Sequence, residues 1–85
     1  VDIHPQEDGT FMIDGSAHIR LINRQLDWLL PQDGPKTLNG LIMEYLETIP
    51  DSLVCMKIEG YRIELVQIQD NRIKTARVSA EPEPF

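Results

Sequence analysis

The stretch LVCMKIEGYRIELVQIQDNRIKTARV, residues 53–78, decides the fold. It holds three runs rich in β-branched residues, LVCMKI, YRIELVQIQ and RIKTARV, parted by Glu59-Gly60 and Asp70-Asn71. Both pairs suit two-residue hairpin loops, which favour side chains that tolerate positive φ. Three strands joined by two tight turns make an antiparallel meander. The middle run changes phase, because Tyr61, Ile63 and Leu65 share one face and Val66 and Ile68 the other. A β-bulge is expected near that change. Cys55, a lone thiol in an apolar run, is expected to be buried as a small hydrophobe.

Ahead of the meander the period changes. Leu38, Leu41, Ile42, Tyr45, Leu46 and Ile49 recur at the spacing of a helical core face. Thr37 caps this helix and Pro50 stops it. Gly40 inside it costs about 1 kcal/mol relative to Ala, which calls for the close approach of another backbone. PQDGPK, residues 31–36, is a loop by composition. Upstream, Ile19, Ile22, Leu26 and Leu29 or Leu30 predict a first helix from Ala17 to near Asp27, with Ser16 as N-cap. VDIHPQ and TFMID pair as a hairpin around Glu7-Asp8-Gly9, and Pro5 confines the first strand to a sheet edge. The expected fold class is α+β, an antiparallel β-meander with an N-terminal hairpin and two helices packed on one side. It forms one domain over residues 1–80, with EPEPF, residues 81–85, as a flexible tail.

A chain of 85 residues buries about 60–65% of its unfolded surface, enough for one core without a deep pocket. Fourteen acids against eight bases give a net charge of −6. That balance argues against binding a phosphate backbone, where Lys and Arg supply the affinity, and against docking on anionic lipid. No apolar run approaches the ~18 residues of a membrane span. One cysteine makes no internal disulfide, and no CxxC spacing is present for zinc. These features suit a reducing, cytoplasmic setting. The start at Val1 suggests a piece of a longer polypeptide.

Catalysis needs a nucleophile beside a base, or two carboxylates in unlike environments. His4 and His18 have no partner set by sequence, and no GxGxxG, Walker loop, HExxH or GxSxG occurs. No enzyme is expected. The acidic opening, with Asp2, Glu7, Asp8 and Asp14 before the first base, offers Asp8 and Asp14 as weak candidates for a hard cation such as magnesium. The spacing is not that of a calcium loop, and turns, strand and helix cap account for most of it. Gly9 and Gly15 are assigned to turns. Arg72, Lys74 and Arg77 on the last strand, with Glu44 and Glu47 on the second helix, would give a bipolar surface for another domain.

Taken in order, DGTFMIDGSAHIRLINRQLDWLLP, TLNGLIMEYLETIP and the meander ending in DNRIKTARV resemble the CorC/HlyC, or transporter-associated, domain. The resemblance runs from Ile3 to Val78. Its most specific pieces are Asp14-Gly15, Thr37-Leu38-Asn39-Gly40-Leu41, Ile49-Pro50 and Arg72-Ile73-Lys74. Where this chain has Asp27 before Trp28, relatives often carry Gly, which bears on how the first helix ends.

The resemblance implies a non-catalytic accessory domain on the cytoplasmic side of the bacterial inner membrane. It would close a hemolysin-like or magnesium and cobalt efflux protein, following a membrane domain and a nucleotide-sensing CBS pair. The implied partners are that CBS pair and membrane domain, and a second copy in a homodimer. The family's fold is grouped with a domain of FAD-binding oxidases. This chain has neither a phosphate-cradling glycine loop nor a flavin-attachment His, so FAD is not expected. The alternative is a sensor that takes a divalent cation through the acidic opening.

Overall fold

A computed structural model describes residues 2–48 and 52–80. The elements are β1 (Ile3–Pro5), β2 (Phe11–Asp14), α1 (Ile19–Leu26), α2 (Leu38–Leu46), β3 (Cys55–Ile58), β4 (Tyr61–Gln69) and β5 (Arg72–Ala80). The five strands form one antiparallel sheet in the order β1-β2-β5-β4-β3. The fold is α+β, and its sheet is open. The meander β3-β4-β5 and the hairpin β1-β2 are joined through β5, so the last strand lies in the middle.

The two meander turns follow from their residues. Glu59 and Gly60 have φ of 51° and 88°, and Asp70 and Asn71 have 54° and 62°. Positive φ at both central residues is the type I′ geometry, whose twist matches the strands it joins. The expected bulge is present, and it is double. Pairing steps from Leu65↔Ala76 to Gln67↔Thr75 and then to Ile68↔Ile73. Val66 is therefore the extra residue of β4, and Lys74 that of β5.

One face of the sheet is buried. Ile13, Ile58, Ile63, Leu65, Ile73, Ala76 and Val78 meet Ile19 and Ile22 of α1 and Leu38, Leu41 and Ile42 of α2. Burying those side chains supplies the main drive to fold. On the other face His4, Met12, Arg77, Glu64 and Cys55 stand side by side across all five strands. Arg77 and Glu64 form an ion pair there at 3.4 Å.

Several expectations need correction. α1 starts at Ile19, and His18, not Ser16, is its N-cap, without a side-chain cap bond. The Asp14–Ala17 turn delays the helix: Gly15 N–H donates to the Lys74 carbonyl and Ala17 N–H to the Asp14 carbonyl, so these backbone groups serve sheet and turn. Cys55 is exposed, because β3 begins there and that side chain stands on the uncovered face of an edge strand. Tyr45 is 47% exposed, so the core face of α2 narrows to Leu38, Leu41 and Ile42, with Leu46 half-buried. A methyl group on Gly40 would meet the Pro35 ring at 2.9 Å, so the close neighbour is a side chain and not a backbone. The expected roles of Ile49 and Pro50, and the tail 81–85, lie outside the described residues.

Thr37 caps α2 as expected, its hydroxyl oxygen accepting from Gly40 N–H at 3.2 Å. The end of α1 is set by Asp27 in the left-handed region, φ 56° and ψ 45°, with its N–H donating to the Asn23 carbonyl. Left-handed residues at this position commonly close helices, and glycine is favoured there. Asn23 then holds the chain beyond: its amide donates to the Leu30 carbonyl at 3.0 Å and accepts from Leu30 N–H at 2.9 Å. Between them Trp28 is stacked edge-on against Phe11, ring centroids 5.5 Å apart, and tilted against Tyr61 at 5.0 Å. Leu29 N–H donates to the Tyr61 hydroxyl at 2.7 Å.

Candidate functional site

A cleft of about 450 Å³ opens where the β2–α1 turn, the start of α2 and the β4–β5 hairpin converge. It is lined by Asp14, Gly15, Ser16, Thr37, Asn39, Gln69, Asp70, Arg72, Ile73 and Lys74. Three of the candidate residues thus come together: Asp14 from the acidic opening, and Arg72 and Lys74 from the last strand.

The floor is made by β5 backbone that lies beyond the end of its pairing with β2. Asn39 Oδ1 accepts from Ile73 N–H at 2.7 Å, and Gly15 N–H donates to the Lys74 carbonyl at 2.8 Å. Asn39 N–H in turn donates to the Gly15 carbonyl at 2.7 Å. A buried backbone group without a partner costs about as much as a lost hydrogen bond, and here each finds one on another element. Gly15 is needed because a methyl group there would fall on the Ile73 carbonyl and lie 3.2 Å from Asn39 Cβ. Close packing, not turn geometry, explains that glycine.

The charges around the cleft are of both signs, Asp14 and Asp70 against Arg72 and Lys74. Asp8 is elsewhere. It sits in the β1–β2 turn, while Asp14 ends β2, so the strand residues Phe11, Met12 and Ile13, at about 3.4 Å each, lie between them. Asp8 Oδ1 accepts from the Thr10 hydroxyl at 2.6 Å and from Thr10 N–H at 3.0 Å. Those donors hold the exposed carboxyl below the ordinary carboxylate value, with a smaller contribution from Arg77. Among the described residues no three His, Cys, Asp or Glu side chains gather where they could hold a metal ion.

The remaining candidates are dispersed. Arg77 is paired with Glu64 on the uncovered sheet face. Glu44 lines a different groove, with Leu29, Asp33, Tyr45 and Glu59, and Glu47 is exposed at the end of α2 with φ 66°. Sequence reasoning gave Asn39 no role and missed Asp70 as a cleft residue. The signal for Asn39 was its place two residues after a capping threonine, which aims a short amide at whatever packs on the helix start.

The model of the transporter associated domain, CorC_HlyC, matches residues 4–82. The chain belongs to that family. An inner membrane protein of Escherichia coli, UPF0053 protein YfjD, is 43% identical over 77 residues, 91% of this chain and 18% of that protein. The domain thus spans under a fifth of that relative's length. A crystal structure of a functionally unknown conserved protein from Haemophilus influenzae is 40% identical, with a TM-score of 0.88 over 94% of this chain and 99% of that one. A transporter associated domain of a Xylella fastidiosa hemolysin, solved in complex with Mg++ and Mn++, is 27% identical, with a TM-score of 0.81 over 96% of this chain and 100% of that one. No described helix of this transporter-associated domain is long and apolar enough to cross a membrane.

Proposed function

We propose that this transporter-associated domain is a non-catalytic module that docks on other domains of its own polypeptide and so tunes divalent-cation transport. The observation that carries the reading is the cleft itself. It is walled by three separate elements, tied together by the Asn39 and Gly15 hydrogen bonds, and lined by Asp14, Asp70, Arg72 and Lys74. A rigid rim of mixed charge selects a partner and its orientation. The relative's much greater length supplies the candidates. Family resemblance favours the CBS pair, on the cytoplasmic side of the inner membrane, as the first of them, ahead of the membrane domain or a second copy.

The direct test is calorimetric titration of the isolated CBS pair of the same polypeptide with this domain. Charge reversal of Arg72 and Lys74 together should weaken association at least tenfold. An affinity unchanged by that double reversal removes this cleft as the contact.

A second reading is favoured by the Mg++ and Mn++ in the Xylella relative. Here the domain would take a divalent cation through Asp14, and Asp8 would belong to a separate, outer position. Amide NMR shifts confined to residues 7–16 that saturate with magnesium, but not with sodium chloride of matched ionic strength, would establish it. Shifts identical in both salts would dismiss it.

A further inference from the structure

Beside α1 lies a groove of about 440 Å³ whose walls carry His18, Arg20, Arg24, Gln32 and Lys36. No carboxylate lines it, in a chain whose acids outnumber its bases by fourteen to eight. Arg20 and Arg24 are one turn apart on the exposed side of the helix, where like charges repel. Lys36 is drawn up beside them by its own backbone. Its carbonyl accepts from Ile19 N–H at 2.8 Å, and the next residue, Thr37, bridges to His18. The fold thus holds three cations around one hollow.

Their neutrality is not met within the domain. Arg77 has Glu64, and Lys57 and Arg62 are engaged. Arg20, Arg24 and Lys36 have no ion-pair partner among the described residues. The N–H groups of Arg20 and Leu21, at the start of α1 and in the same wall, have no acceptor among the described residues either. Two guanidinium forks, an ammonium and free backbone donors around a hollow match a compact oxyanion with several acceptor oxygens.

We propose that this groove binds a phosphate group, presented either by a small soluble phosphate ester or by a lipid headgroup. The site is separate from the Asp14–Lys74 cleft and shares no residue with it. The overall negative charge argues against an extended phosphate backbone and against docking over a broad anionic lipid surface, but not against a single phosphate group seated in this hollow.

The test uses the 85-residue chain. Sodium phosphate at pH 7 is titrated against sodium chloride of matched ionic strength while amide NMR spectra are recorded. In parallel, the protein is sedimented with phosphatidylcholine vesicles with and without phosphatidylglycerol. Both arms are repeated with the variant Arg20→Gln/Arg24→Gln and with Lys57→Gln/Arg62→Gln, which loses the same charge elsewhere. Saturable phosphate shifts at Arg20, Leu21, Arg24 and Lys36, at least tenfold weaker in the first variant only, support a soluble ligand. Sedimentation with anionic vesicles that the first variant alone abolishes supports the headgroup. Shifts reproduced by chloride together with no anionic-vesicle binding would overturn the site, as would losses equal in both variants.

Discussion

Asn39 and Ile73, 34 residues apart, are joined by one hydrogen bond of 2.7 Å, in which the amide oxygen of Asn39 accepts from the Ile73 N–H. Pairing of β5 with β2 ends at Asp14↔Thr75, short of Ile73, and the helix supplies the acceptor. Asn39→Leu should lower stability by about 1–3 kcal/mol, the cost of stranding a buried donor. Asn39→Asp keeps an acceptor in place and should lose less. Urea denaturation of both variants decides this, and equal losses would mean that the acceptor is not what matters.

Gly15 and Gly9 make a matched pair of tests. A methyl group on Gly15 meets the Ile73 carbonyl, whereas one on Gly9 meets nothing, although φ there is 88°. Gly15→Ala should therefore cost about 3 kcal/mol through overpacking. Gly9→Ala should cost about 1 kcal/mol through backbone strain alone. The order of the two melting temperatures is the readout, and the reverse order would contradict the packing described here.

Asp27 closes α1 with φ 56°, a conformation that costs a β-branched residue about 1–2 kcal/mol. Asp27→Val should be destabilised by that amount, and Asp27→Gly should melt no lower than the parent chain. A loss in the glycine variant comparable to that in the valine variant would show that the carboxylate, not the dihedral, is what the position needs.

The Asp8 carboxyl is held low first by the Thr10 hydroxyl. Its folded value lies below the ~3.9 of a free Asp. The unfolded chain therefore binds this proton more readily, so the contribution is present above the unfolded value and is lost as pH falls through the folded one. Carboxyl-carbon NMR should find Asp8 titrating below ~3.9, and Thr10→Val should bring it back up. A titration midpoint indifferent to Thr10→Val would assign the shift to the Thr10 N–H, which that variant keeps, and to Arg77.

Local signals told what local signals can. Glu59-Gly60 and Asp70-Asn71 announced their hairpins, the phase change in β4 announced a bulge, and Thr37 announced a helix. What the chain could not display was which strand lies beside β2. Phe11 pairs with Val78, and nothing near either residue records the other. The cleft was hidden for the same reason, since Asp14, Asn39 and Ile73 meet only once the last strand has entered the sheet. Ser16 looked like a cap because composition cannot show that the backbone around it is already committed to β5 and the turn. Cys55 looked buried because an apolar run does not reveal that its first residue stands on the open face of an edge strand.

That last strand has a kinetic meaning. β5 is last in the order of the chain and central in the sheet, with β2 on one side and β4 on the other. A ribosome releases β2 long before its partner exists, and contacts between distant parts of a chain are slow to form. The N-terminal hairpin must wait with an unpaired edge until the final strand arrives. A shortening that removes β5 should leave no smaller version of this domain, only two fragments of sheet with nothing between them.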